Sequence, residues 1–385
     1  MRKVVSVITV VLFLLLAAEV GFLFYLNHSG HGAPSLFNPT TESAPPTTED
    51  PTVITTQAPT TEPPTEAPTE APTEPQPETF LLTFVGDCTL GCNRDKVNVG
   101  LGFLKTVGDN YDYPFANVRG YFENDDFTFV NLEGALTNGG TPYNKAHVFR
   151  GYPEYTQILT GSSVEAVSLA NNHSRDYGEV GYQDTKTALE NAGVLYVEQD
   201  NTLICTTERG LTIGIYAVTY EHVDKEEIYA NIAALAADET IDLVIFAPHW
   251  GTENSYRANP TQTELSRGAI DAGAHIVYTS HAHVLQPIEE YNGGIIYYSL
   301  GNFCFGGMIN LKDFDTALLQ QEVIREPDGT VHLGRLLRIP CSVGSDPSSR
   351  VNDYQPTPYA EGSKEYDRVL SKLDGSYTGA DIPIG

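Results

Sequence analysis

Cysteine, methionine and tryptophan are scarce in this chain, with five, two and one among 385 residues, and basic residues are outnumbered 22 to 50 by acidic ones. The cysteines Cys88, Cys92, Cys205, Cys304 and Cys341 are odd in number and scattered, with no CxxC pair, which argues against a zinc ribbon or a dense disulfide framework. Cys88 and Cys92 are near enough in sequence to pair, but both read more simply as buried thiols. The net charge of −28 excludes electrostatic capture of DNA or RNA by the chain as a whole, since that needs Lys and Arg to replace phosphate counterions. Only 19% of residues are charged and 41% are hydrophobic, so the chain is not mainly disordered. Its length exceeds the ~250–300 residues at which one core usually stops growing, so some of it is expected to stand apart from the folded part.

What is present divides the chain in four. In residues 1–27, Arg2 and Lys3 precede an almost unbroken apolar run over residues 4–26, interrupted by Glu19 and small residues. At ~1.5 Å per residue this run is long enough for a ~30 Å hydrocarbon core and longer than the ~7–15-residue h-region of a cleaved signal peptide. It reads as an uncleaved signal anchor in the lipid bilayer, with Arg2 and Lys3 in the cytoplasm and the rest outside. Residues 28–78 hold twelve of the 24 prolines, eight acidic residues and no Lys or Arg, the composition of an extended, disordered stalk. Residues 79–344 form the expected folded domain. Residues 345–385 are an extension rich in Ser, Pro, Asp and Tyr with one helical candidate over 364–373, in which no chemistry is legible.

The folded part alternates short apolar runs with amphipathic ones. Strands buried on both faces are expected over 80–85, 127–132, 164–169, 243–247 and 276–279, and helices over 182–191, 225–237 and 261–271. Further strands at 212–218, 295–299, 317–324 and 331–339, some with hairpin spacing, predict an α/β fold with mixed sheets. Nearly every apolar strand runs into a polar group able to bind metal: Asp87, Asn131 and Glu133, Asn171-Asn172-His173, His249, and His281-Ala282-His283. Strand ends of α/β folds converge on one edge, where ligand sites are built. Each cluster alone is more often a helix cap or a packed side chain. Together they supply oxygen and imidazole donors without thiolate, which suits Mn, Fe or Zn, and they exceed what one tetrahedral ion needs. Such a set fits two ions ~3.5–4 Å apart that share a carboxylate and activate water.

The order Asp, Glu, Asn-His, His, His-x-His resembles the calcineurin-like metallophosphoesterases. The fuller strings Gly86-Asp87-Cys88-Thr89, Asn131-Leu132-Glu133-Gly134, Ala170-Asn171-Asn172-His173, His249-Trp250-Gly251, His281-Ala282-His283 and Ser299-Leu300-Gly301-Asn302 resemble the CapA family of capsule-synthesis proteins, associated with poly-γ-glutamate. The similarity covers roughly residues 79–343. It implies a calcineurin-like β-sandwich flanked by helices, with Asp87, Glu133, Asn172, His249, His281 and His283 as metal ligands and His173 as the acid beside the leaving group. Classical members carry Asp-x-His at the first motif. Position 89 is Thr here, so the resemblance implies one or two divalent transition ions, with the first position the weaker.

Around this centre, Arg150 in Phe149-Arg150-Gly151 is the cation expected on an acidic substrate, unless it forms a surface salt bridge. Asn302 either lies at the substrate or caps a turn. Asp176 and Glu253 either orient ligand histidines or are plain surface carboxylates. Trp250 is expected to pack beneath the ligands. The resulting expectation is a membrane-anchored, extracellular, metal-dependent hydrolase that acts on a phosphoester or anionic polymer alongside other capsule-synthesis membrane proteins. A charge of −21 over residues 79–385 and the Thr at position 89 leave a second class open, a non-catalytic polymer-handling or assembly subunit with a structural or vestigial metal site.

Overall fold

The computed structural model describes residues 75–94, 102–220, 224–346 and 348–383. The expected anchor at residues 4–26 and nearly all of the expected stalk lie outside the described residues, among which no helix is long and apolar enough to cross a membrane.

Two mixed sheets carry the fold. The seven-stranded sheet runs in the order Thr357–Pro358, Val331–Ser342, Asp315–Arg325, Glu78–Phe84, Phe127–Asn131, Ala166–Ser168, Leu195–Val197. Its last four strands are mutually parallel, while the long Asp315–Arg325 and Val331–Ser342 hairpin is antiparallel and closes the other side. The six-stranded sheet runs Ile288–Tyr291, Gly294–Tyr297, Ile276–Tyr278, Leu243–His249, Thr212–Thr219, Asn201–Thr206, with a parallel block of four between antiparallel edges. The pattern of apolar runs foretold the main strands of both sheets but not Leu195–Val197, Asn201–Thr206, Ile288–Tyr291 and Asn302–Phe305, nor the two- and three-residue strands Asp87–Thr89, Cys92–Asn93, Ala135–Leu136, Phe149–Gly151 and Thr357–Pro358, which are too brief or too exposed to leave a period-2 signal.

The sheets face each other across one core. Phe80, Leu82, Phe84, Phe127 and Phe129 from the first sheet meet Ile213, Ile215, Leu243, Ile245 and Ile276 from the second. Tyr278 bridges them, its ring 5.5 Å from Phe84 and 5.6 Å from Phe129. Each such side chain, fully buried, contributes ~1.5–3 kcal/mol. Alternate residues on the same strands point outward and are covered by helices, which is why these strands read as continuous apolar runs rather than alternating ones. Val130 and Val167 pack with Tyr182 and Leu189 of helix Gly178–Ala192. Val244 and Phe246 pack with Ile228 and Ile232 of helix Lys225–Ala236 and with Leu265 and Ala269 of helix Pro260–Asp271. The last helix starts where Asn259 and Gln262 form a reciprocal capping box and Pro260 takes the first turn. Trp250 is buried edge-on against Phe246, at 5.6 Å, as packing beneath the strand end requires. All five cysteines are free and four are buried, so Cys88 and Cys92 are thiols.

The C-terminal residues are built into the fold. Thr357–Pro358 extends the first sheet, and helix Lys364–Leu373 docks on it through a buried ionic knot. There Lys372 lies 2.6 Å from Asp313 and 2.7 Å from Asp315, and Arg368 forks onto both oxygens of Asp315 at 2.7 Å.

Candidate metal centre

The parallel blocks of both sheets end on the same edge, and the turns that follow them carry the polar clusters. After strand Glu78–Phe84 the chain turns at Gly86, where a Cβ would lie 2.1 Å from the Gly301 carbonyl. Only glycine permits that approach, and it lets Asp87 N donate to Gly301 O at 2.8 Å, seating Asp87 at the bottom of the site. Tyr278 ties the two sheets together just beneath, its hydroxyl donating to Val85 O (2.6 Å) and accepting from Asn131 N (3.2 Å). His281 and His283 hold left-handed backbone, with φ of 103° and 58°. Such conformations cost on the order of 1–3 kcal/mol for a non-glycine residue and collect at functional sites.

The sequence-expected ligands converge. Asp87, Glu133 and His283 each offer a donor atom within 4.8 Å of the others, with Asp87 Oδ2 3.3 Å from His283 Nδ1 and Glu133 Oε1 3.8 Å from His283 Nε2. Beside them, Asn172 Oδ1 stands 2.9 Å from His249 Nε2, and the His249 and His281 rings are 4.8 Å apart. Asn131 links the two groups: its Nδ2 donates to Asp87 Oδ1 (2.9 Å) and lies 3.4 Å from both Glu133 Oε2 and His249 Nδ1. Donors sharing one ion at ~2.0–2.2 Å lie roughly 3–3.5 Å from each other, and the pairs here bracket that spacing at 2.9–3.8 Å, with the Asp87, Glu133 and His283 set spread over as much as 4.8 Å.

The fit to a cation rests on atoms with nothing else to bind. Glu133 Oε1 and His281 Nδ1 are buried without a hydrogen-bond partner among the described residues, and so is Thr89 Oγ1 at the position where the first motif lacks its histidine. Electrostatics point the same way. Burial, then the charge of Asp87, raises the Glu133 carboxyl well above the usual carboxylate range. Burial opposes protonation of His283, but the neighbouring Glu133 and Asp87 outweigh it and raise that imidazole to about 10. Burial and adjacent imidazoles lower His249 and His281, leaving them neutral as metal binding requires. Two buried carboxylates thus demand positive charge, and in the protein alone His283 supplies it.

His173 stands over this centre, its Nε2 3.8 Å from Glu133 Oε1. Its Nδ1 meets Asp176 Oδ2 at 2.7 Å, and because a carboxylate only accepts, Nδ1 carries the proton and Nε2 faces the site. Burial lowers the His173 imidazole, with Asp176 opposing. Asp176 is thus a buried acceptor that holds His173 rather than one of the expected ligand histidines, and it is itself held by Phe149 N (2.6 Å) and Lys145 Nζ (2.5 Å).

Three expectations are corrected by the geometry. Arg150 is not in the cleft: its guanidinium lies over the Tyr177 ring at 5.0 Å, because on strand Phe149–Gly151 it is Phe149 that faces His173, stacked at 4.1 Å. Asn302 is at the site but spends its amide on His283, with Oδ1 2.9 Å from Nδ1 and Nδ2 donating to the backbone oxygen at 3.2 Å, so it orients a ligand rather than meeting substrate. Glu253 is exposed at the rim and reaches His281 and His283 through its charge alone.

Sequence reasoning gave no role to Ser280 (Oγ 2.7 Å from His249 Nδ1), Lys145 (Nζ to Asn172 O, 2.8 Å) or Phe149, and placed Asn131 only among the strand-end groups able to bind metal, without the linking role it has here. Asn131 and Glu133 are two apart at a strand end and share a face, a signal that could have been used. Nothing in the sequence ties Lys145 to residues 172 and 176. A cleft of about 320 Å³ opens over the centre, lined among others by His147, Phe149, His173, His283, Asn302 and Lys312.

The layers and strand-end cluster define an α/β double-sheet protein with a buried group of oxygen and imidazole side chains, among which Asp87, Glu133 and His283 are close enough together to hold a metal ion. A family model described as bacterial capsule synthesis protein PGA_cap matches residues 81–307, which include every one of these donors, and the chain belongs to that family. It is 30% identical over 273 residues to the capsule biosynthesis protein CapA of Bacillus anthracis, covering 63% of this chain and 64% of that one. It is likewise 30% identical over 271 residues to the PGA biosynthesis protein CapA of Bacillus subtilis (strain 168), covering 64% and 68%. The chain thus spans a little under two thirds of the length of the first of these relatives. Among solved structures, purple acid phosphatase PPD1 from yellow lupin seeds shows a partial likeness, with a TM-score of 0.33 at 14% identity over 71% of this chain and 57% of that one.

Proposed function

We propose that this protein serves the synthesis or export of an anionic surface polymer of the poly-γ-glutamate kind, through a metal-dependent hydrolase site on a calcineurin-like fold. Membership of the capsule-synthesis family supports the process, and the relatives named for capsule and PGA biosynthesis support the polymer. The observation that carries the chemistry is the convergence of Asp87, Glu133, Asn172, His249, His281 and His283, with two of their donor atoms buried and unpartnered. One or two divalent transition ions, Mn, Fe or Zn, would supply Lewis acidity and activate water there. Asp87, Glu133 and His283 would hold one position and Asn172, His249 and His281 the other, with Glu133 between. His173 would pass a proton through Nε2 to the leaving group while Asp176 stabilises the imidazolium. Purified full chain, stripped by chelator and reloaded with each metal, should bind one or two ions by elemental analysis and cleave p-nitrophenyl phosphate. Retention of no metal, or no cleavage with metal bound, refutes the enzymatic reading.

Thr89, with its unpartnered hydroxyl in place of an imidazole, favours a second reading as an assembly subunit whose metal is structural. A His173→Ala protein that restores polymer as well as the wild type in a deletion strain decides for it. For location, we propose a single-pass membrane anchor at residues 4–26 with the domain outside, beside other capsule-synthesis membrane proteins. Protease added to intact, wall-stripped cells should then release a soluble domain by cutting residues 28–78, and protection from it refutes the orientation.

A further inference from the structure

With Arg150 turned onto Tyr177, an anionic substrate needs another cation, and among the described residues lining the cleft Lys312 is the one lysine or arginine. Its neighbour Asp313 does not cancel it, since Lys372 claims that carboxylate at 2.6 Å. Lys312 is exposed, and its Nζ donates to a neutral acceptor, the Pro383 carbonyl, at 2.6 Å. A carbonyl fixes the ammonium's position without neutralising it and leaves two N–H donors for a ligand. The C-terminal residues brace the same wall at several points. Asn352 donates to Phe305 O (2.8 Å) and Met308 O (2.9 Å), Arg350 to Lys312 O (3.0 Å), and Ile382 N to Asn254 O (3.0 Å). Asp381 secures the tail by accepting from Ser255 Oγ, Tyr256 N and Arg257 Nη1 at 2.9–3.0 Å. Residues 308–313 and this bracing tail both lie beyond the segment that the family model matches.

We propose that Lys312 binds an oxyanion of the substrate, carboxylate or phosphate, and that the tail at residues 379–383 holds it in the cleft wall; this rests on the reading of the cleft as the substrate site. The test is calorimetric titration of the metal-loaded full chain with two probes, inorganic phosphate and a synthetic γ-linked glutamate oligomer. Lys312→Gln should weaken the tighter-bound probe about tenfold, the loss of one charge-assisted hydrogen bond, with metal content unchanged. Lys312→Arg should retain affinity, and Asp381→Ala should lose a few-fold by freeing the tail. The probe that binds tighter identifies the source of the oxyanion. Wild type that binds neither probe, Lys312→Gln that binds as wild type, or Lys312→Gln that loses metal overturns the assignment, and an unchanged Asp381→Ala overturns the role of the tail. Should wild type bind a probe through Lys312 yet cleave no phosphoester, the hydrolase reading fails while Lys312 stands.

Discussion

Lys372→Met tests how the C-terminal helix is held. Lys372 is 2% exposed, and its ammonium is shared between Asp313 and Asp315 at 2.6 and 2.7 Å. Methionine keeps the length of the side chain and removes the charge, leaving two carboxylates short of a partner. Breaking a buried ion pair from one side costs ~3–5 kcal/mol. Here Asp315 keeps the Arg368 fork and the Tyr359 hydroxyl at 3.0 Å, which offset part of the loss. The expected cost therefore falls to just below that range, ~2–3 kcal/mol, read from urea unfolding by circular dichroism at pH 7 with an unchanged m-value. The acid limb gives a second check. Burial pushes the Asp315 carboxyl up, but Arg368 and Lys372 prevail and hold it below its ordinary value. A depressed carboxyl contributes stability that is complete above its unfolded pKa and is lost as pH falls through the folded one. The gap between wild type and Lys372→Met should accordingly close below about pH 4, the unfolded Asp value, as Asp315 is protonated. A cost under about 0.5 kcal/mol, the scale of an ordinary surface substitution, or a gap that persists unchanged in acid, refutes the account.

Asp87→Asn should deplete the ion position built with Glu133 and His283, and His249→Ala the one built with Asn172 and His281; elemental analysis showing no loss in either would deny them ligand roles. Asp176→Asn should leave bound metal intact but lower phosphoester turnover by ~10²–10⁴, the range for losing a positioned acid–base group, and activity within twofold of wild type would remove Asp176 from the His173 arrangement. Gly86→Ala must displace the Gly301 carbonyl, so a loss of at least ~1–3 kcal/mol is expected, checked by thermal unfolding, and a neutral result would show that this turn is not close-packed.

Most of the layers were legible because both parallel blocks are buried on two faces, and such strands leave apolar runs that end abruptly at polar residues. The polar clusters were legible for a related reason: a strand end fixes where its next residues emerge, so Asp87, Asn131 and Glu133, Asn171-Asn172-His173, His249 and His281-Ala282-His283 could be gathered on one edge without knowing the order of strands, while the choice of six expected ligands among them came from the family resemblance. Helix Lys364–Leu373 was legible from its own pattern, but its task was not, because the ionic partners that give it meaning lie at Asp313 and Asp315.

Residue types and their places at strand ends thus determined, by themselves, the α/β class and the oxygen and imidazole character of the strand-end cluster. Tertiary structure alone decided which cation faces the cleft, what holds His173 and what Asn302 is for. Neighbouring residues on a strand point to opposite sides, so whether Phe149 or Arg150 meets His173 depends on how strand Phe149–Gly151 pairs with Cys92–Asn93 and Ala135–Leu136. That pairing is set by contacts between segments dozens of residues apart, to which no local pattern in the chain responds.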